Sequence, residues 1–141
     1  MEHPEPPLIT IRRAILDDLD TLVPLFDGYR AFYEQPVDSG RSRGFLEARL
    51  ARDESVVFLA ELDDGTAAGF TQLYPMFSSV RAARVWVLND LFVAPVARRR
   101  GAAGALLDAA AAFARDDGAI RLELETTSDN ASAQALDRNA G

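Results

Sequence analysis

Val93-Ala94-Pro95-Val96-Ala97-Arg98-Arg99-Arg100-Gly101-Ala102-Ala103-Gly104-Ala105-Leu106-Leu107 is the stretch from which the fold is read. An apolar strand ends at Val93, a short loop turns, and a helix begins at Gly101. Helix N-termini carry unpaired backbone N–H groups and a partial positive charge, so they hold anions. Small residues at 101 to 104 let an anion come close to those groups. Arg98, Arg99 and Arg100 sit at the end of a helix where cations oppose the macrodipole, by roughly 0.3–1 kcal/mol each when exposed. They also repel one another. An acidic chain that gathers three of its fifteen basic residues in one turn has an anion to hold there. The other reading is a solvated basic turn whose small residues serve packing; the strand before it and the helix after it favour the anion site. A P-loop is excluded because it needs Gly-Lys, and the chain has no Lys. A dinucleotide site is excluded because Gly-x-Gly-x-x-Gly does not follow the first strand.

Working outward, Leu8 to Arg13 alternates apolar and polar residues and predicts a first strand. Asp17 and Asp18 start a helix in which Leu19, Leu22, Leu25 or Phe26, Tyr29, and Phe32 or Tyr33 recur at helical spacing. Gln35 to Gly40 breaks it. Phe45 to Leu50 predicts a second, short helix. Ser55 to Leu62 and Ala67 to Tyr74 read as strands of a hairpin turned at Asp63-Asp64-Gly65, with Pro75 ending the second or marking an edge. Val85 to Val93 is a long strand, Gly101 to Asp116 a helix closed near Gly118, and Ile120 to Leu124 another strand. Glu123 and Glu125 fit its solvent-facing alternation better than a catalytic role. Asn130 to Arg138 begins a last helix. The order β-α-α-β-β-β-α-β-α predicts an α/β fold with a mixed sheet and helices on both faces. Residues 8–141 form one domain, and residues 1–7 are expected to be a flexible tail.

Composition narrows the chemistry. The 141 residues suit one domain, and 48% hydrophobic content can fill a core. There is no Cys, which excludes disulfides, thiolate catalysis and Cys-ligated metal. The single His, His3, lies in the tail, so no metal site is expected. No run approaches the roughly 20 apolar residues of a membrane span, and residues 1–7 lack the features of a signal peptide. A cytoplasmic protein with no membrane partner is expected. A net charge of −7 argues against nucleic-acid binding and favours a cationic small molecule.

Asn89 and Asp90 interrupt an apolar strand, where polar side chains are costly unless paired or used. A regular strand points them to opposite faces, and a bulge would relax that constraint. Both a functional and a core-pairing role for Asp90 fit the sequence. Tyr29, Phe32 and Tyr33 form an aromatic stripe that reads first as core. Its functional reading is an acceptor pocket whose ring faces hold a cation, and Tyr74 is a similar case.

Arg98-x-x-Gly101-x-Ala103, preceded by Asp90-Leu91-Phe92-Val93 and followed by Leu106-Leu107 and Asn130-x-x-Ala133-x-x-Leu136, resembles the signature of the GCN5-related N-acetyltransferases. Gly69-Phe70-Thr71-Gln72-Leu73-Tyr74-Pro75, Phe77-Ser78-Ser79 and Leu88-Asn89-Asp90-Leu91 resemble a branch that acetylates polyamines, small amines, amino acids or basic protein tails. The likeness covers Leu8 to Gly141. It implies the acyl-CoA N-acyltransferase fold and acetyl-CoA as co-substrate, with Leu91, Phe92 and Val93 pairing with the pantetheine arm. It implies that backbone N–H groups from Arg99 through Arg100, Gly101, Ala102 and Ala103 to Gly104 bind the pyrophosphate, assisted by arginine side chains including Arg98. It implies that Asn130 reaches the cofactor; helix capping together with Asp129 is the local alternative. Asn89 and Asp90 are the candidates for the amine side of the reaction, and Tyr29, Tyr33 and Tyr74 for acceptor binding. A homodimer is the family-based expectation.

Two departures stand out. The family places Tyr after the Leu of its last helix, as the acid toward the leaving thiolate; here Asp137 follows Leu136, and an ionised Asp has no proton to give at neutral pH. The family also continues past the position of Gly141 with a further strand. The expectation is a shortened or altered version of a longer enzyme, or an edge covered by a second subunit. The function implied is transfer of acetyl from acetyl-CoA to a primary amine of a small molecule or basic peptide. The alternative is an acyl-CoA-binding module with little or no activity.

Overall fold

The computed structural model describes residues 9 to 125. β1 (Ile9–Arg13), β2 (Val56–Leu62), β3 (Ala67–Ser78) and β4 (Ala83–Val93) run antiparallel to one another in sequence order. The β2–β3 turn is fixed by the Asp64 carboxylate, which accepts from the Thr66 N–H at 2.9 Å. β5 (Arg121–Leu124) pairs parallel to β4, reached through α3 (Ala102–Asp116), so the sheet is mixed with strand order β1-β2-β3-β4-β5.

α1 (Leu19–Phe32) and α2 (Ser39–Ala51) cover one face. Their Leu22, Phe26 and Leu46 pack on Leu59 of β2 and Phe70 of β3. α3 covers the other face, where Leu106 packs with Val93 and Ala110 with Leu73, Trp86 and Leu88. Full burial of a side chain such as Leu22, Leu46, Leu59 or Leu106 contributes roughly 1.5–3 kcal/mol. β1 is tied to the start of α1 by Arg12, which forms a two-point ion pair with Asp18 at 2.7 and 3.0 Å.

The α/β fold with helices on both faces agrees with the sequence reading, but some boundaries move. The second helix begins at Ser39 rather than Phe45, because Asp38 caps it by accepting from the Arg41 N–H at 3.0 Å. Ser39 and Gly40 are therefore helical and do not belong to the break. The strand from Ala67 passes through Pro75 and ends at Ser78. Proline is tolerated there because β2 pairing stops at Leu73, which leaves Pro75 on a free edge. The predicted helix at 130–138, with Asn130, Asp137 and everything beyond 125, lies outside the described residues.

β3 and β4 approach so closely at Gly69 that a Cβ there would stand 2.4 Å from the Phe92 carbonyl oxygen and 3.1 Å from Val93 Cα. The obstacle is backbone, so it cannot swing aside. Gly69→Ala is expected to destabilise the fold by about 1–3 kcal/mol. The check is a lowered urea midpoint with an unchanged m-value.

Candidate active site

The site forms where β4 stops being a regular strand. Its pairing with β3 slips by one residue: Gln72 faces Asp90, but Leu73 faces Leu88, which leaves Asn89 as the extra residue of a bulge. The parallel partner β5 accompanies β4 only from Val85 to Leu88. Beyond Leu88 the β5 side of β4 has no strand partner among the described residues. Leu91, Phe92 and Val93 are paired with β3 on one side only, so their β5-facing side borders an opening that leads to the start of α3.

The bulge also solves the side-chain problem posed by Asn89 and Asp90. It turns Asn89 so that its amide Nδ2 donates to Asp90 Oδ1 at 2.7 Å. The Gln72 amide donates to the other oxygen, Asp90 Oδ2, at 2.6 Å. Asp90 is only 2% exposed. Burial pushes its carboxyl above the ordinary range, and the amide donors hold it back.

Tyr29 reaches this point from α1, donating its hydroxyl to the Asn89 carbonyl at 3.2 Å. Tyr33, one helical turn on, sets its ring edge-on to Tyr29 with centroids 5.2 Å apart. Tyr74 lies two residues beyond Gln72 on the same face of β3. Burial, then the charge of Asp90, raises the pKa of Tyr29 and of Tyr74 well above that of an ordinary phenol, so both stay protonated. The structure therefore brings Tyr29, Tyr33, Tyr74, Asn89 and Asp90 together at one end of the β4 opening. Sequence reasoning gave no role to Gln72 or Ser55. The signal available was a Gln inside an apolar strand, two residues from Phe70 and next to Leu73.

The opposite end of the opening is the turn before α3. A short 3₁₀ turn, Pro95–Ala97, leads into Arg98 with φ −67°. Arg99 and Gly101 then adopt left-handed backbone, with φ 67° and 84°. For Arg99 that conformation costs roughly 1–2 kcal/mol, which a held anion would offset. Among the described residues nothing accepts from the backbone N–H groups of Arg99 to Gly104, and no side chain caps α3. A Cβ at Gly101 would meet nothing within 4 Å, so the space beside Gly101 is open. The Arg98 guanidinium folds back to donate to the Val93 carbonyl at 3.2 Å. Arg99 and Arg100 are exposed, and none of the three forms an ion pair among the described residues. A row of free N–H donors, open space and unpaired cations is what a pyrophosphate group needs, so the chain fits the phosphate end of coenzyme A. No cluster of three or more acidic or His side chains that could hold a metal occurs among the described residues.

The chain is similar to known proteins in sequence and in fold. The Acetyltransferase (GNAT) family matches residues 22–141. The uncharacterized N-acetyltransferase YhfO of Bacillus subtilis is 48% identical over 128 residues, covering 91% of this chain and 85% of that protein. The crystal structure of a probable acetyltransferase superposes with a TM-score of 0.87 at 46% identity, over 94% of this chain and 88% of that one. The fold is also shared, at 22% identity and a TM-score of 0.82 over 99% of this chain and 91% of that one, by an aminoglycoside N-acetyltransferase, AAC(6')-Iy, in complex with CoA. The open β4 edge, the donor row before α3 and these likenesses lead to one conclusion: the chain belongs to the GNAT acetyltransferase family and is an acetyl-CoA-dependent N-acetyltransferase.

Proposed function

We propose that this chain acetylates a primary amine on a small cationic molecule, such as a polyamine or an amino acid, or on a basic peptide, and that Asp90 takes the proton from the attacking amine. The observation that carries the reading is the bulge at Asn89. The β4–β5 pairing stops next to it, and the Asn89 and Gln72 amides converge there on one carboxylate beside three tyrosines. Acetyl-CoA supplies the thioester carbonyl that the amine attacks. Leu91, Phe92 and Val93 hold the pantetheine arm by backbone pairing. The N–H groups of Arg99 to Gly104 hold the pyrophosphate, with Arg98, Arg99 and Arg100 adding positive charge and Asn130 reaching the cofactor from the last predicted helix. Tyr29, Tyr33 and Tyr74 present ring faces to the ammonium group, and the Asp90 carboxylate accepts its proton, which leaves the neutral amine as nucleophile.

The net charge of −7 supports a cationic acceptor. No described helix is long and apolar enough to cross a membrane. We read the chain as a cytoplasmic homodimer that binds neither nucleic acid nor membrane. The β3–β4 ribbon, with exposed Met76, Phe77 and Val80, supports the dimer. The test is acetyl-CoA titration followed by a free-thiol assay on a panel of polyamines, amino acids, basic peptides and an aminoglycoside. Thiol release with at least one amine is expected. Binding of acetyl-CoA without thiol release on any amine would overturn the reading.

A further inference from the structure

We propose that Ser55 and Gln72 are positioning residues that orient the Asp90 carboxylate and set the pH at which it gives up its proton. The proposal rests on the reading of Asp90 as the proton acceptor and adds the part of the protein that tunes it. Three elements meet at this point: the residue before β2, the middle of β3 and the bulge of β4. Ser55 Oγ donates to Gln72 Oε1 at 2.7 Å, and Gln72 Nε2 donates to Asp90 Oδ2 at 2.6 Å. Ser55, Gln72 and Asp90 are 4%, 0% and 2% exposed, so water does not substitute for any of these bonds.

The order of the chain matters. A glutamine amide has an acceptor end and a donor end. The Asp90 carboxylate only accepts, so the donor end faces it, and the acceptor end is left for the Ser55 hydroxyl, which can donate. Reversed, the amide would set its oxygen against a carboxylate oxygen. An apolar residue would fill the site without needing a partner at either end. A glutamine held in one polarity against a buried carboxylate is therefore understandable as a device acting on that carboxylate. Burial raises the Asp90 carboxyl, and the donors from Asn89 and Gln72 lower it. Loss of the Gln72 donor must raise it further. Loss of the Ser55 hydroxyl leaves the buried amide oxygen without its donor and loosens the hold of Gln72 on the carboxylate, so it acts in the same direction only through Gln72.

The other groups facing Asp90 do not titrate in the acid range. They are Tyr29 of α1, which touches Tyr33, and Tyr74 of β3, with both Tyr29 and Tyr74 raised above ordinary phenols. Arg49 of α2 acts on Tyr74 and is ion-paired with Glu54 at 2.7 Å.

The experiment is a carboxylate-carbon NMR titration of the full chain labelled at aspartate, with the Asp90 signal assigned by its loss in Asp90→Asn. It is read beside the pH profile of kcat/KM. Gln72→Met is expected to move the Asp90 titration, and the acid limb of kcat/KM with it, up by about one pH unit. Ser55→Ala is expected to move both the same way by less, and Ser55→Thr to leave both near the wild type. The double variant Ser55→Ala/Gln72→Met should go no further than Gln72→Met alone. An Asp90 titration unmoved in Gln72→Met would overturn the proposal, as would a Ser55→Ala shift that persists in full on the Gln72→Met background. If Gln72→Met does not fold, the Ser55→Ala titration decides alone, and an unmoved Asp90 signal again sinks the idea. A titration that shifts while the acid limb stays in place upholds the tuning and removes Asp90 from the proton-acceptor role.

Discussion

Asp90→Asn is expected to lower kcat/KM for the amine by about 10²–10⁴-fold, the usual contribution of a positioned general base, while acetyl-CoA binds as before. The substitution keeps the shape of the side chain and removes only its basicity. It also puts an amide donor where Asn89 and Gln72 already donate, so one donor must turn away; the expected stability loss is about 1–3 kcal/mol. The pH profile has a definite sign. The carboxyl is raised by burial, so in the wild-type chain activity should fall as pH drops through a value above the ordinary carboxylate range. In Asp90→Asn that limb should vanish. Retention of wild-type kcat/KM and of the acid limb would remove Asp90 from the mechanism. The paired measurements are steady-state kinetics from about pH 5 to 9 and calorimetric titration with acetyl-CoA.

Gly101→Glu is expected to weaken acetyl-CoA binding by about 100-fold or more. Gly101 has φ 84°, which strains any L side chain, and it is the N-cap of α3, next to the N–H groups that begin the helix. A carboxylate placed about 5 Å from one phosphate charge is repelled by about 3 kcal/mol at an effective dielectric of 20, equal to a factor of roughly 100 in Kd. Arg98→Ala is expected to do less, because its guanidinium is engaged with the Val93 carbonyl at 3.2 Å and the donors before α3 are backbone. Titration with acetyl-CoA and with dephosphorylated pantetheine separates the effects: only the ligand carrying pyrophosphate should lose affinity. Equal losses for both ligands would mean that the substitution has damaged the turn rather than the anion site.

The turn before α3, which we propose as the phosphate end of the site, was legible in the sequence because its physics is local. A strand end, a tight turn, small residues and a helix start lie within a few positions of one another. The electrostatics of a helix terminus follow from that order without knowledge of the rest of the fold. The same locality made the element order and the α/β class readable, and the absence of Lys and Cys removed competing chemistries. Local reasoning was weaker where glycine diluted the signal. Gly40 and Gly44 thinned the periodicity of α2, and its start became visible only through the Asp38 cap. Pro75 was readable as an edge residue, but its strand continued because β2 had already stopped pairing.

The arrangement around Asp90, the proposed catalytic end, was decided by tertiary structure. Nothing in the order Leu88-Asn89-Asp90-Leu91 states that the register with β3 slips at Asn89, because register belongs to two strands together. The partners of Asp90 come from separate elements. Gln72 lies 18 positions away, Ser55 lies 17 from Gln72, and the Tyr29 hydroxyl reaches the Asn89 carbonyl across 60. Sequence alone leads to the expectation of an anion site before α3 and shows two polar residues inside an apolar strand. The fold decided that those two side chains meet, which amides hold the carboxylate, and that its burial raises it. Helix-end charge is set by neighbours in the chain, whereas the acidity of a buried group is set by whatever packs against it.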